Sequence, residues 1–456
     1  MRRRAWLLAL VAALAVSLNG ARPASPQTQP PPPQRPNVLI FLTDDQRKGL
    51  EVMDALRNRV EANGRRYPNA YVTTPVCCPS RASIMSGRYV HNHGVEANFV
   101  DFFDHRTTVQ FYLQRAGYRT GYIGKFLNGW SFREGPPYFD DWALNSGQPA
   151  RRYYDARVNV NGALQTIDKY STTFFGNEAV RFLERTDRVN DPDPWLLYVA
   201  PNAPHQPFQP EKRYEDAPVS EWVGNPAVNE RDLSDKPPWV RRQSVSFKRG
   251  RFARMQQYRM LESVDDMVRN VMLAVQRLDE SRDTLVFFIS DNGYSWGEHN
   301  LEGKFNPYLE SVQVPFLAKW PQHIPPGSID DRLVANIDIA PTIIDATGVS
   351  TEGGPEMDGR SLLDPDWERD RLLLEYKMVD NHPYPDWAST ITKTSQYTEY
   401  YRGEETVYRE YYDLESDPYQ LLNLLGDGDL LNDPPGAPAM SLQLKRDSTC
   451  VGETCP

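Results

Sequence analysis

The stretch NVLIFLTDD, residues 37–45, decides the fold class of this 456-residue chain. Its run of consecutive apolar residues is typical of a strand that is buried on both faces, as occurs in a parallel sheet covered by helices. Similar apolar runs occupy residues 195–200 and 284–289, and a polar segment follows each of them. The chain therefore contains at least three predicted buried strands that end in polar residues.

Helical patterns separate these predicted strands. Apolar side chains recur at helical spacing over residues 253–278, and a shorter pattern covers residues 109–116. Strands that alternate with helices predict an α/β fold, in which helices flank a mostly parallel central sheet. From residue 364 the pattern changes to charged turns and then to short aromatic strands. We therefore predict a large domain at 37–363 and a smaller α+β domain at 364–456.

Carboxylate and amide side chains follow the first and third of the predicted strands. Ligands of parallel sheets bind beyond the carboxyl ends of the strands, so we expect Asp44, Asp45, Asp291 and Asn292 to converge. Each motif alone is also compatible with an ordinary turn or helix cap. Oxygen ligands select a hard cation such as Ca²⁺ or Mg²⁺ over zinc or copper. Gly293 is expected to let the chain turn sharply behind these ligands.

The segment CCPSRASIMSG, residues 77–87, begins a short predicted helix that Gly87 ends. Free backbone amides at a helix N-terminus favour an anion, and the same electrostatics are expected to lower the pKa of a thiol there. Spacing alone also allows a half-buried cysteine pair before an ordinary helix. Cys77 and Cys78 are adjacent, so a disulfide between them would be strained. They also lack a partner at zinc-site spacing.

The pattern Cys77-Cys78-Pro79-Ser80-Arg81, with Gly87 and Arg88 after it, resembles the signature of the formylglycine-dependent sulfatases. The resemblance continues through nearly the whole chain after residue 37. Its further motifs are Asp44-Asp45, Gly124-Lys125, Pro204-His205, Ser290-Asp291-Asn292-Gly293, Lys304 before Tyr308, and Tyr412-Asp413-Leu414 before Asp417-Pro418. It implies an alkaline-phosphatase-like fold with the catalytic domain at 37–363. It also implies that a maturation enzyme oxidises Cys77 to formylglycine, while Cys78 fills the variable position.

The resemblance also implies a role for each residue of the site. The hydrate of the aldehyde made from Cys77 would attack the sulfur of a sulfate ester and expel the alcohol. Arg81 would orient this hydrate, Lys125 and Lys304 would bind sulfate oxygens, and His205 would protonate the departing alkoxide. The implied ligands of the Ca²⁺ or Mg²⁺ ion are Asp44, Asp45, Asp291, Asn292 and the residue made from Cys77.

The sequence departs from the commoner family pattern after Lys125. Many sulfatases carry a histidine shortly after the matching lysine, whereas Phe126, Leu127 and Asn128 follow here. The base that releases sulfate is therefore not assigned. The pattern His91-Asn92-His93 is compatible both with a substrate pocket and with packing beneath it.

The double cysteine and the run Gly124-Lys125-Phe126-Leu127-Asn128 look most like the branch of N-acetylglucosamine-6-sulfatases and heparan endosulfatases. We therefore expect a sulfated sugar or glycosaminoglycan as the substrate. The alternatives are an arylsulfatase, a phosphonate or phosphate monoesterase on the same scaffold, and an inactive secreted glycan-binding protein.

Composition and termini indicate the compartment and exclude some partners. The net charge of -10 gives no long-range attraction for nucleic acid. Residues 1–24 have the basic start and short apolar run of a signal peptide, and a proline-rich linker covers residues 25–36. We therefore expect a secreted or periplasmic protein without a stable membrane insertion. The absence of any Asn-x-Ser/Thr acceptor favours a bacterial source. Cys450 and Cys455 could form a disulfide or stay reduced.

Overall fold

Strand β1 (Asn37–Thr43) lies near the middle of a ten-stranded sheet in the computed structural model, and every one of its residues is buried. The structure describes residues 35–100, 102–145, 153–188, 193–377 and 384–456. Residues Arg35–Pro456 form one compact unit. The predicted signal peptide at 1–24 and nearly all of the predicted linker lie outside the described residues.

The other strands are β2 (Arg65–Arg66), β3 (Ala70–Tyr71), β4 (Arg119–Gly124), β5 (Asp141–Asn145), β6 (Arg157–Val160), β7 (Ala163–Thr166), β8 (Trp195–Ala200), β9 (Thr284–Ser290), β10 (Ser295–Trp296), β11 (Glu302–Gly303), β12 (Phe316–Lys319), β13 (Ser328–Ile329), β14 (Val334–Ala335), β15 (Leu372–Tyr376), β16 (Asp386–Ile391), β17 (Ser395–Arg402) and β18 (Glu405–Asp413). The α-helices are α1 (Asp54–Arg59), α2 (Cys77–Ser86), α3 (Val90–His93), α4 (Val109–Arg115), α5 (Ser171–Arg188), α6 (Pro238–Arg241), α7 (Phe247–Arg277), α8 (Leu309–Val312), α9 (Ile339–Thr347) and α10 (Ala437–Asp447).

The central sheet has the order β13-β2-β12-β9-β1-β8-β4-β5-β6-β7. Its five middle strands, from β9 to β5, run parallel, and antiparallel strands extend it on both sides. The predicted mostly parallel α/β sheet is therefore confirmed. Because parallel neighbours end at the same edge, the loops after β1, β4, β8 and β9 lie close together.

Burial of β1 on both faces explains its unbroken apolar sequence. Val38, Ile40 and Leu42 belong to one hydrophobic cluster, whereas Leu39 and Phe41 belong to another. Successive side chains of a strand point to opposite faces, so each face needs its own apolar set. Helices α5 and α7 contribute to the cluster around Leu39, and α2, α4 and α9 contribute to the cluster around Ile40.

Helix α7 begins at Phe247, well before the predicted start at residue 253. The Ser246 side chain accepts a hydrogen bond from the backbone N–H of Arg249 and caps the helix. The first turns carry Lys248, Arg249 and Arg251, so the apolar spacing that marks the rest of the helix is absent there. The prediction missed this start because a cap, and not periodicity, sets it.

The C-terminal part contains a four-stranded antiparallel sheet in the order β15-β16-β17-β18, with α10 after it. The predicted small α+β arrangement is thus present, while the domain boundary between 363 and 364 stays a prediction. Cys450 and Cys455 are joined by a disulfide. In the part of the chain that the structure describes, none of the helices combines the length and the hydropathy that crossing a bilayer requires.

His93, at the end of α3, makes the stability of the fold depend on pH. Its Nδ1 accepts from the backbone N–H of Val95, and its Nε2 bonds the Ser83 hydroxyl at 3.0 Å. Burial lowers the pKa of His93 from 6.5 to about 3, and the nearby charges of Arg88 and His91 act in the same direction. The folded protein therefore holds this ring neutral, whereas the unfolded chain takes up the proton below pH 6.5.

Stability is accordingly expected to fall as pH drops from about 6.5 towards about 3. At pH 5.5 the contribution of His93 to the free energy of unfolding should be about 1.4 kcal/mol lower than at pH 7.5. Urea unfolding at the two pH values measures this difference. His93→Gln should reduce the pH dependence by that amount. If the pH dependence of stability is the same in His93→Gln as in the wild type, His93 is not its cause.

Candidate active site

Four parallel strands and one helix bring the candidate residues to one edge of the central sheet. Asp44 and Asp45 follow β1, and Asp291 and Asn292 follow β9. Lys125 follows β4, and the loop after β8 carries His205. Helix α2 begins with Cys77. The sequence-distant residues that were predicted to converge therefore do so.

Cys77 lies at the centre of this group, between an acidic and a basic side chain. Its Sγ is 3.4 Å from Oδ1 of Asp44 and 2.7 Å from Nζ of Lys304. Its side chain is buried, as are Asp44 and Lys304. The side chain at the start of α2 therefore faces both a carboxylate and an ammonium group at short range.

Two lysines bond the carboxylates that follow β1. Lys125 Nζ lies 2.6 Å from Oδ2 of Asp44, and Lys304 Nζ contacts Oδ1 of Asp45. Lys304 Nζ is also 3.2 Å from Oδ1 of Asn292, whose Nδ2 donates to Asp45. The lysines and carboxylates thus balance one another in a region from which water is largely excluded.

Arg81, on the first turns of α2, is fully buried and ties the helix to β9 and to the loop after β4. Its Nε donates to Oδ2 of Asp291 at 2.8 Å, and its Nη1 donates to the carbonyl oxygen of Lys125 at 2.6 Å. Burial alone would lower the pKa of Arg81, but Asp291 and its other neighbours raise it above the usual value. Nη2 has no hydrogen-bond partner within the described part of the chain. A buried, charged donor is therefore available to a group bound beside Cys77.

The prediction that the helix N-terminus lowers the pKa of the Cys77 thiol is wrong. Burial raises the pKa of Cys77 to about 12, and the charge of Asp44 adds to this effect against the opposing charges of Lys125 and Lys304. Desolvation disfavours the thiolate more strongly than the nearby cations favour it. Full burial at this position could not be read from a helical pattern of residues.

His205 is oriented by backbone groups of its own loop. Its Nδ1 donates to the carbonyl oxygen of Gln206 at 2.5 Å, so Nε2 is the nitrogen that faces the site. Nε2 lies 3.6 Å from Oδ2 of Asp45. Burial lowers the pKa of His205, while the charges of Asp45 and Asp44 oppose this shift.

Comparison with known proteins assigns the family of the chain. Residues 36–349 match the family model described as Sulfatase, which covers more than half of the chain. The chain belongs to the sulfatase family. Residues 297–432 also match the model described as N-sulphoglucosamine sulphohydrolase, C-terminal.

Curated relatives share sequence with this sulfatase over most of its length. The extracellular sulfatase SULF-1 homolog of Drosophila melanogaster is 32% identical over 378 residues, which cover 77% of this chain but only 32% of that protein. The human N-acetylglucosamine-6-sulfatase is 28% identical over 501 residues, which cover 92% of this chain and 86% of that protein. The chain spans less than half the length of each of the two invertebrate relatives, the second from Caenorhabditis elegans.

A solved structure supports the assignment of the fold. A protein in complex with its substrate D-glucosamine-2-N,6-O-disulfate superimposes on this sulfatase with a TM-score of 0.73 and 22% sequence identity. The superposition covers 90% of this chain and 96% of that chain. The alkaline-phosphatase-like fold that the sequence predicted is therefore confirmed.

Four buried side chains of this sulfatase site place donor atoms where they could hold a metal ion. One potential ligand atom from each of Asp44, Asp45, Cys77 and His205 lies within 4.8 Å of the others, and all four residues are buried. The Lys304 ammonium already lies among Asp45, Asn292 and Cys77 atoms, so the pocket attracts positive charge. Carboxylate oxygens fit Ca²⁺ or Mg²⁺, whereas a thiol and an imidazole also fit softer metals, so the identity of the cation stays a prediction.

The other predicted ligands are close by but are engaged with protein groups. Asp291 accepts from Arg81 through Oδ2 and from the backbone N–H of Asp45 through Oδ1. Burial raises the pKa of Asp291 above its ordinary value, and the charge of Asp44 adds to the shift. The predicted ligand set stays a prediction.

Gly293 is needed for a different reason from the one predicted. Its backbone is not in the left-handed region, so the proposed sharp turn does not explain it. A Cβ atom on Gly293 would lie 2.1 Å from the carbonyl oxygen of Glu310. Because the backbone of Glu310 comes this close, any residue with a Cβ atom would clash at this position.

The structure adds two polar residues that the motifs did not indicate. Gln257 of α7 donates to the carbonyl oxygens of Asp45 and Pro204 and thereby links the loops after β1 and β8. Asn98 accepts from the backbone N–H of Cys78 through Oδ1. Neither residue belongs to a recognisable sequence pattern, because each reaches the site from a distant segment.

Three histidines outside the predicted site, His91, His93 and His299, bond protein groups of the fold. His91 contacts the carboxylate of Glu375 at 3.0 Å, and its Nε2 lies 3.0 Å from the carbonyl oxygen of Cys450. His93 packs against α2, as described above. His299 contacts Glu230 at 2.6 Å and stacks on Tyr308. The packing alternative therefore describes His91 and His93 better than a substrate pocket.

Proposed function

We propose that this sulfatase hydrolyses sulfate monoesters of sugars, with N-acetylglucosamine 6-sulfate or a related glycosaminoglycan sulfate as the substrate. The observation that carries the proposal is the position of Cys77, whose side chain contacts both Asp44 and Lys304 at the carboxyl edge of the parallel sheet. The choice of sugar is supported by the similarity to the human N-acetylglucosamine-6-sulfatase. It is also supported by the fold shared with the glucosamine disulfate complex.

Maturation and export are part of this proposal. A formylglycine-generating enzyme would convert Cys77 before or during folding, since the mature side chain is buried. The signal peptide at 1–24 would direct the chain to the periplasm or the outside of the cell. The cation would be Ca²⁺ or Mg²⁺, held by Asp44, Asp45, Asp291 and Asn292 with the residue made from Cys77.

Each charged residue of the site has its own role in the proposed reaction. A formylglycine hydrate would supply the nucleophilic hydroxyl, and the cation would supply Lewis acidity. Arg81 orients the residue at position 77 with its unpartnered Nη2. Lys125 and Lys304, which bond Asp44 and Asp45 in the structure, would bind sulfate oxygens. Their positive charge then stabilises the negative charge that grows on these oxygens in the transition state.

His205 provides the proton for the departing alkoxide. Because Nδ1 is held by the carbonyl oxygen of Gln206, the proton must leave from Nε2, and His205 must be in its doubly protonated form. Asp45 lies 3.6 Å from Nε2 and favours that form against burial, which lowers the pKa of His205. This arrangement places the acid on the side of the site where the loop after β8 lies.

Kinetics on matched esters test the proposed function. Purified enzyme from a host that makes formylglycine is assayed with N-acetylglucosamine 6-sulfate, the corresponding 6-phosphate and a small aryl sulfate. We expect the highest kcat/KM for the sugar sulfate. Faster turnover of the phosphate ester would instead indicate a phosphate monoesterase, and preference for the aryl ester would indicate an arylsulfatase. Binding of the sugar without any turnover would indicate a glycan-binding protein.

Replacement of His205 by Asn should lower the rate of ester hydrolysis. The decrease should be larger when the ester releases a more basic alkoxide. A sugar alkoxide needs a proton on departure, so kcat for the sugar sulfate should fall by about 10²- to 10⁴-fold. For an aryl sulfate that releases an acidic phenol, kcat should fall much less. Rates across a series of aryl sulfates measure the dependence on leaving-group pKa. An equal loss for all esters would show that His205 does not act as the acid.

A further inference from the structure

A short segment after α3 is attached to the start of the helix that carries Cys77. Asn98 Oδ1 accepts from the backbone N–H of Cys78 at 3.1 Å and from Nδ2 of Asn128 at 2.8 Å. The backbone N–H of Val100 donates to the carbonyl oxygen of Asn128 at 2.9 Å. The segment 98–100 is thus held between the N-terminus of α2 and the loop that follows Lys125.

Phe99 lies in the middle of this segment and is fixed against the same loop. A Cβ atom on Gly129 would be 2.5 Å from Cδ2 of Phe99, so the ring packs directly on the backbone of Gly129. Phe99 is nevertheless 52% exposed. Hydrogen bonds on both sides and contact with Gly129 hold an aromatic ring with much of its surface in solvent.

About half of Phe99 stays open to solvent although the ring packs on Gly129. The nearby Phe103 is buried and packs against His93 and His105, as a structural aromatic residue does. Ligand sites are lined mainly by apolar and aromatic side chains around a few polar groups, and the residue before Phe99 bonds the start of α2 beside the polar groups of the site. Phe99 therefore differs from its structural neighbour in the surface it offers.

We propose that Phe99 is the platform of a sugar-binding subsite and stacks on the pyranose ring that carries the sulfate ester. The proposal rests on the proposed function, because it concerns the alcohol part of the same substrate. The charged groups around Cys77 can recognise the sulfate, but they offer no apolar surface to the sugar. The C–H groups on a pyranose face are weakly positive and match the negative face of an aromatic ring.

Asn98 acts in this proposal as a positioning residue. Its side chain sets the distance between the Phe99 backbone and the N-terminus of α2, and hence between the platform and the residue at position 77. The subsite should therefore bind the sugar close to the reacting sulfate, not at a remote surface.

Substitutions at Phe99 test the subsite in the mature, metal-loaded enzyme. With N-acetylglucosamine 6-sulfate, Phe99→Ala should raise KM by about five- to tenfold with kcat nearly unchanged. Phe99→Leu should behave like Phe99→Ala, because it keeps an apolar side chain but has no aromatic face. Phe99→Trp should keep KM near that of the wild type.

A second measurement separates sugar binding from disturbance of the catalytic residues. Inorganic sulfate contacts only the charged groups, so its inhibition constant should be the same in the wild type and in all three variants. Phe252→Ala serves as the matched control, since Phe252 is 42% exposed on α7 and is not one of the residues proposed for catalysis or for the subsite. Thermal unfolding of each variant checks that the fold is kept.

The outcomes distinguish this inference from the proposed function. A wild type that fails to hydrolyse any sulfated sugar overturns the function and the subsite together, and this is seen without any variant. A wild type that turns over the sugar sulfate while Phe99→Ala leaves KM unchanged overturns the subsite alone. Equal KM values for Phe99→Leu and Phe99→Trp also overturn stacking. A parallel rise of the sulfate inhibition constant would show that Phe99 supports α2 instead of binding sugar.

Discussion

Replacement of Cys77 by alanine is expected to abolish ester hydrolysis and to leave the protein folded. The proposed nucleophile is made from this side chain, and Cys77 is the only cysteine among the residues of the proposed site. Loss of a covalent nucleophile commonly lowers kcat by about 10⁴-fold or more, so activity should fall to background. The alanine removes only the contacts of Sγ with Asp44 and Lys304, which still pair with other groups.

Cys78→Ala is the matched control for this experiment. Cys78 is the adjacent cysteine and is also buried, but its Sγ points to the carbonyl oxygen of Asn128 at 3.8 Å and not to the charged cluster. The variant should lose about 1 kcal/mol of stability and keep most of its activity. Peptide mass spectrometry should find formylglycine at position 77 in the wild type and in Cys78→Ala. An unmodified thiol at position 77 in active enzyme would refute the mechanism.

Asp44→Asn should cause the second largest loss, because Asp44 contacts both the nucleophile position and Lys125. The amide keeps the shape of the side chain but removes a charge that the cation needs. Metal content should fall below one ion per chain, and kcat/KM should fall by about 10³-fold or more. Elemental analysis and kinetics measure the two effects on the same preparation.

Chelation provides an independent test of the same site. Prolonged treatment with EDTA should remove both activity and thermal stability in the wild type, and addition of Ca²⁺ or Mg²⁺ should restore them, which also identifies the cation. Asp265→Asn is the control: this buried carboxylate caps α1 by accepting from Ala55 and Leu56 N–H groups. It should change stability without changing metal content. Full metal content in Asp44→Asn would exclude Asp44 as a ligand.

Much of the fold could be predicted because its signals are local. The apolar runs of β1, β8 and β9 indicate strands that are buried on both faces, since a strand with one exposed face would alternate apolar and polar residues. The start of α7 was missed because Ser246 sets it through a single hydrogen bond in a segment without helical periodicity. Local composition therefore predicts the presence of a strand or helix better than it predicts the residue at which that element begins or ends.

The residues of the candidate site could be named from motifs, but their environment could not. The motif around Cys77 indicates which side chains are present. The pKa of the Cys77 thiol, however, depends on burial by segments that are far away in sequence. For the same reason the sequence could not show that the backbone of Glu310 comes close to Gly293. It also could not show that Phe99 packs on the loop at Gly129.

The sequence by itself determined the α/β class and the signature at Cys77, because these depend on residue type and short spacing. Only the tertiary structure decided that Lys304 contacts Cys77 and Asp45, that Arg81 keeps one buried donor free, and that an exposed aromatic ring stands beside α2. The physical reason is that contacts, solvent exclusion and charge compensation at this site come from strand ends and loops that are distant in sequence. The parallel sheet brings them to one edge.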